Sequence, residues 1–196
     1  MKLDKNLTWS LILLVIVAAI YRVIPGRPPG FAPQIAIAIF AGAVIKDKKL
    51  ALAIPVLSMF FSDMFYQILY SSGVSSMPGF YEGQWENYIL FGLLTFIGFA
   101  FRKINVLNIL VASLLAPTAY FILSNFVLWA SPTGTRGFDR PRNWGGLMQT
   151  YIDALPFYRT SLIATIVFSV ILFGSYYLIK RASVKRTAAA SDIGIF

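Results

Sequence analysis

Six apolar runs, each ended by basic residues or by a turn rich in Pro and Gly, constrain most strongly what this 196-residue chain can fold into. They cover residues 7–24, 31–45, 50–70, 88–101, 104–130 and 160–179. A helix of ~20 apolar residues crosses the ~30 Å hydrocarbon core of a bilayer. Composition agrees, with 58% hydrophobic and 13% charged residues, against about 45–50% and about 25% in an ordinary soluble domain. The pattern predicts an all-α integral membrane protein: one domain of six transmembrane helices over 1–181, then a basic, flexible tail at 182–196. The first run, preceded by Lys2 and Lys5, could be read as a signal peptide. It is long for one and no small-x-small cleavage site closes it, so a retained helix is expected.

Orientation follows from the basic residues. The side holding both termini, the 46–49 turn and Arg102-Lys103 carries 11 of the 17 Lys and Arg. The other side carries Arg22, Arg27, Arg136, Arg140, Arg142 and Arg159, together with five of the eight acids. This excess predicts that both termini are cytoplasmic. Because these residues flank apolar runs, the net charge of +9 serves topology and does not point to nucleic acid.

Several chemistries drop out. The chain has no Cys and no His, which removes disulfides, thiolate catalysis, the commonest metal ligand and the usual general base. Neither phosphate-binding glycine motif is present, and the pattern leads us to expect no enzyme activity, no cofactor and no metal site. Glu82 and Glu86 are helically spaced but fall in a Ser/Gly-rich loop, and read as solvated.

What remains is a layer of polar residues. At about 1.5 Å of rise per residue, Asp63 lies roughly 10 Å, and Asn125 about 8 Å, below the outer ends of their spans. Arg22 ends span one, Gln34 opens span two and Arg159 opens span six. All five fall in the outer third of the bilayer, which suggests a pocket open to the outside. A carboxylate in hydrocarbon needs a partner; Arg22, Arg159 and Gln34 are the candidates for Asp63. Asp63 either lines a ligand site or locks helices together. Asn125 and Trp129 share a helix face at i and i+4, and could hold a ligand's polar edge and ring, although a Trp at that level also serves as a membrane anchor. Tyr66, Tyr70, Tyr81, Trp85, Tyr88, Trp144, Tyr151 and Tyr158 crowd the same level, most as an aromatic belt and two or three facing the pocket. Segment 151–159, apolar and containing Pro156, reads as a re-entrant or interfacial lid. Ala32/Ala36 and Ala38/Gly42 form small-xxx-small patterns suited to close packing of span two.

A family resemblance attaches to specific strings. Arg22-Val-Ile-Pro25 with Pro28-Pro29 and Phe31-Ala32-Pro33 is the first of them. Pro55-Val56-Leu57 with Ser62-Asp63, and Ser124-Asn125-Phe126 with Trp129, come next. Tyr151, Ala154-Leu155-Pro156-Phe157, Arg159 and Leu172-Phe173-Gly174 complete the set. Together they resemble a family of small, largely uncharacterised bacterial membrane proteins, described as transport proteins. That family is grouped with the substrate-binding (S) subunits of energy-coupling-factor transporters. The resemblance implies an S-subunit-like bundle in the bacterial cytoplasmic (inner) membrane, with a substrate site at the outer face. It also implies partners: a coupling membrane subunit and two ATPases.

The resulting expectation is a transport protein that captures a small solute, vitamin-like or ionic, in a pocket formed or braced by Arg22, Gln34, Asp63, Asn125, Trp129 and Arg159. The loops around 25–31 and 131–158 would act as gates; the arginines at 136, 140 and 142 could recruit an anion, although a solvated loop is the simpler reading of them. An alternative of another class is an accessory or structural subunit of a larger membrane complex, its polar layer serving helix packing. A third, an enzyme acting on lipid headgroups, would need a second ionisable group close to Asp63.

Overall fold

The computed structural model describes residues 5–131 and 140–192, with side chains for 13–131 and 140–181. Among these residues six helices account for the fold: α1 (Lys5–Val23), α2 (Gln34–Val44), α3 (Lys48–Ser71), α4 (Gln84–Ala100), α5 (Val106–Ala130) and α6 (Trp144–Asp192). At one end of the bundle the connections are tight and the starts of two helices are capped. Asp47 accepts from the amides of Lys49 and Leu50 at 2.9 and 3.1 Å, and Asn105 accepts from that of Asn108 at 2.8 Å. Each cap satisfies amides that the first turn of a helix leaves without a partner.

α2 is the axis of the bundle. Residues Gln34 to Gly42 are all buried, and α3, α4, α5 and α6 all pack on it. α1 joins through Val15 and Ala18, which share a core cluster with Ile37 and Ala41 of α2. Ile35, Ala38, Ile39 and Phe40 meet Phe91 and Leu94 of α4, Ala112 and Ala116 of α5 and Phe173 of α6 in a second cluster. Where α2 crosses α4 the backbones touch. A Cβ on Gly42 would lie 2.3 Å from the Thr95 carbonyl oxygen, and one on Gly98 2.3 Å from that of Ile39. Of the expected small-residue pairs, Ala38/Gly42 therefore supplies a glycine to the close α2/α4 crossing.

Three segments are long and apolar enough to cross a membrane: Lys48–Ser71, Val106–Ala130 and Trp144–Arg181. The outward faces bear large apolar side chains throughout, among them Leu57, Phe96, Leu110, Ile163 and Ile171. A surface of this kind marks a protein made for lipid rather than water. α2, at 11 residues, rises only about 16 Å, roughly half the hydrocarbon thickness. Its place inside the bundle relieves it of reaching lipid at either end.

Two sequence expectations need correction. Segment 151–159 is no re-entrant lid: α6 runs unbroken through Pro156. Packing against α5 holds it, with Tyr151 Oη donating to the Ile122 carbonyl at 2.9 Å and Tyr158 bonded to Thr118 at 2.9 Å. A proline forfeits one helix hydrogen bond, which neighbouring helices in a bundle can make tolerable. The helix also continues to Asp192, so the backbone of 182–192 is helical where a frayed tail was expected.

Candidate functional site

The polar layer gathers at the end of the bundle where α1, α3 and α5 finish and α2, α4 and α6 begin. It has two parts that share one residue, Arg22.

The first part is an ion-pair brace around Asp63, which is 1% exposed. Arg22, on the last turn of α1, donates through Nη1 to Asp63 Oδ1 and, at 2.6 Å, to Ser62 Oγ. From α4, Gln84 Nε2 and Tyr88 Oη both donate to Asp63 Oδ2, the latter at 2.8 Å. Tyr66 donates to the Arg22 carbonyl at 2.8 Å, and its ring lies 5.6 Å from the guanidinium. One carboxylate thus ties α1 and α4 to α3, with both oxygens occupied. Of the three candidate partners, Arg22 is the one that pairs with Asp63. The carboxylate does not line the adjoining cavity.

The second part is that cavity, of about 510 Å³, enclosed by the start of α2, the end of α5, the first turns of α4 and residues 150–161 of α6. Arg22, Gln34 and Asn125 line it. Gln34, 2% exposed, reaches the Ala18 carbonyl at 3.5 Å through Nε2, while its Oε1 is buried without a partner. Asn125 Nδ2 donates back to Phe121 O at 2.7 Å. Tyr81 and Tyr158 are the two belt candidates that line it, whereas Trp85 and Trp144 are exposed. Over the cavity, the loop between α1 and α2 is held down by Arg27, which donates to the Arg22 and Phe31 carbonyls at 3.3 and 2.7 Å. Gly30, at φ +82°, brings that loop against α6, where a Cβ would meet Phe157 O at 2.9 Å.

Trp129 and Arg159 stand apart from this cavity. Trp129 Nε1 donates to Pro141 O at 3.1 Å, fastening the end of α5 to the chain leading into α6. Arg159 is exposed. Asp153, six residues before it, pairs with Arg140 instead. Arg136 lies outside the described residues.

Several lining or bracing residues were not anticipated. Glu86, read as solvated, is half-buried and lines the cavity, with Ser131 Oγ 3.5 Å away. Asn87 lines it too, donating to Tyr81 Oη at 2.8 Å and accepting from Tyr120 Oη at 3.0 Å. Gln84 and Tyr88 stand at i and i+4, so a single face of α4 carries both. That spacing is visible in the sequence and could have singled them out as partners for Asp63.

No group of three or more potential metal ligands occurs among the described residues.

Fold and site together define a helical protein with an apolar exterior, an internal ion-pair brace and, beside it, a largely apolar cavity with a few polar groups in its wall. The chain belongs to a family of unknown function, DUF6580, whose pattern matches residues 2–188. No curated protein and no solved structure matches it significantly.

Proposed function

We propose that this is a multi-pass protein of the bacterial cytoplasmic membrane that captures a small solute in the cavity beside Arg22, as a substrate-binding component of a transport system. The observation that carries the reading is the buried amide of Gln34. Its Oε1 has no partner at the wall of a cavity of about 510 Å³. An unpaired buried acceptor costs about 1–3 kcal/mol, and a bound solute would offset that cost. Cavities of roughly 300–1,000 Å³ with a few convergent polar groups are the usual form of small-molecule sites.

In this reading all six helices belong to the membrane domain, both termini are cytoplasmic and the cavity faces outward. The basic residues at the opposite end support that orientation. The resemblance to S subunits of energy-coupling-factor transporters supports a role in capture, with a coupling subunit and ATPases as partners.

Native mass spectrometry of protein extracted gently from its own membrane tests the reading. Wild type is expected to retain a small molecule that Asn125→Leu loses while still folded. Large protein partners in fixed stoichiometry, with no small molecule in wild type, would replace capture by an accessory-subunit role.

A further inference from the structure

The donors and acceptors around the cavity indicate what chemistry it receives. Gln34 Nε2 and Asn125 Nδ2 face the Ala18 and Phe121 carbonyls. A carbonyl oxygen only accepts, so the amide nitrogens must face it and the orientation of both side chains is determined. Their oxygens are what remain: Gln34 Oε1 is buried and unpartnered, and Asn125 Oδ1 makes no hydrogen bond among the described residues.

Several other lining donors are spent within the protein. Asn87 Nδ2 goes to Tyr81 Oη at 2.8 Å, and Tyr120 Oη to Asn87 Oδ1 at 3.0 Å. Thr150 donates to the Gly146 carbonyl at 2.8 Å. Tyr158 Oη lies 2.9 Å from Thr118 Oγ1. Thr118 uses its single proton on Leu114 O at 2.7 Å, so the phenol is the donor of that pair.

The charges around the cavity balance, which favours an uncharged solute: two of the three lining arginines are paired, and the third, Arg27, is matched by Glu86. Arg22 is neutralised by Asp63, and Arg140 by Asp153. Arg27 spends Nε and Nη1 on the Arg22, Pro28 and Phe31 carbonyls. Against it stands Glu86, whose described partner is a neutral hydroxyl. An anionic solute would meet this carboxylate and two amide oxygens, with Arg27 as the one lining cation that has no carboxylate partner among the described residues. Two aromatic pairs complete the lining, Phe91 with Tyr120 and Phe121 with Tyr158. Their centroids are 5.1 and 4.7 Å apart and their planes are tilted by 33° and 32°. Such faces favour a flat ring.

Resting on the capture reading above, we infer that the cavity takes an uncharged, ring-containing solute that donates hydrogen bonds to Gln34 Oε1 and Asn125 Oδ1, and that it discriminates against anions. This reverses the lean toward anions suggested by the arginines in the sequence.

Indole-3-acetamide and indole-3-acetate test the inference, since they share a ring and differ in the head group: an uncharged N–H donor or an anion. Each is titrated into detergent-solubilised wild type, Asn125→Leu and Gln34→Met, with thermal unfolding as the readout. The amide is expected to raise the midpoint of wild type while the acetate does not. Each variant should need about tenfold more amide for the same rise, the effect of leaving one donor unpaired. Either variant suffices if the other fails to fold, and the probe comparison in wild type requires neither. Stabilisation by the acetate alone, or equally by both, overturns the inference. So does a wild type that carries a small molecule from its membrane yet responds to neither indole, and there capture itself survives. A wild type with no retained small molecule and no response removes capture and the inference together.

Discussion

Replacing Asp63 separates charge from hydrogen bonding in the brace. The carboxylate accepts from Arg22 on one oxygen and from Gln84 and Tyr88 on the other, at 1% exposure. Asp63→Leu removes every acceptor and leaves Arg22, itself only 21% exposed, without a counter-charge. Breaking a buried pair in this way costs about 3–5 kcal/mol. Hydrogen bonds between neutral groups in helical membrane proteins average about 0.6 kcal/mol, up to about 1.7. The Gln84 and Tyr88 bonds therefore account for roughly 1–3 kcal/mol of the loss, and the isolated guanidinium for about 2–3 kcal/mol.

Asp63→Asn divides the two contributions. An asparagine can turn its oxygen to Arg22 and its NH₂ toward α4. Gln84 has an Oε1 without a partner to offer it, and the Tyr88 hydroxyl can rotate to accept. The neutral bonds survive and the charge does not, so the expected loss is about 2–3 kcal/mol. Pairing Asp63→Leu with Arg22→Leu removes the stranded charge, and the double variant should lose about 2–3 kcal/mol less than the sum of the single losses. Equilibrium unfolding in mixed micelles, titrated with a denaturing detergent, measures wild type and the four variants. Equal losses for Asn and Leu would show that charge rather than the neutral hydrogen bonds holds the layer, and a negligible loss for Asn would show the reverse. A loss below about 0.5 kcal/mol for Asp63→Leu, the range of an ordinary surface change, would refute the brace altogether.

Two further predictions concern packing and the residues standing away from the cavity. Gly42→Val drives side-chain atoms into the Thr95 carbonyl 2.3 Å from the nearest possible Cβ, and should cost about 3 kcal/mol or more; Gly174→Ala, with nothing within 4 Å, should leave the unfolding midpoint within about 0.5 kcal/mol of wild type. Arg159→Ala, at an exposed position that does not line the cavity, should change stability by less than about 0.5 kcal/mol and leave any co-extracted small molecule in place by native mass spectrometry.

How much of this was legible in the sequence depends on which interactions are local. Asp63 could be singled out because a carboxylate inside an apolar run has few physical explanations, and helical rise put Arg22 at its level. The depth argument brought Gln34 and Asn125 to one layer, and both line the cavity. It also brought in Trp129 and Arg159, because depth carries no information about azimuth; a residue at the right level can face away. Gln84 was overlooked because it precedes the apolar run of its helix and reads as loop. Yet its burial at 5% exposure follows from the carboxylate it serves. Pro156 was over-read: proline weakens a helix, but the contacts of Tyr151 and Tyr158 with α5 are tertiary and leave no mark on local pattern. The half-length of α2 was equally hidden, since an apolar run cannot say whether it meets lipid or lies wholly inside protein.

The division between brace and cavity limits how the two can influence each other. Asp63 has no free oxygen with which to meet a solute, so it can act on the cavity only through the position of Arg22. That position is fixed from several directions: Asp63 and Ser62 hold the guanidinium, while Tyr66 and Arg27 hold the Arg22 carbonyl. The same carbonyl thus anchors the loop that covers the cavity, because Arg27 also bonds Phe31 at the entrance to α2. A solute pressing on this loop would load the end of α1, and through it the ion pair on α3. The Gln34 amide completes the circuit from inside, since its nitrogen rests on Ala18 of α1 and its residue lines the cavity wall. α1 is therefore tied to both the cover and the wall of the cavity, and it is the helix whose displacement would register whether the cavity is filled.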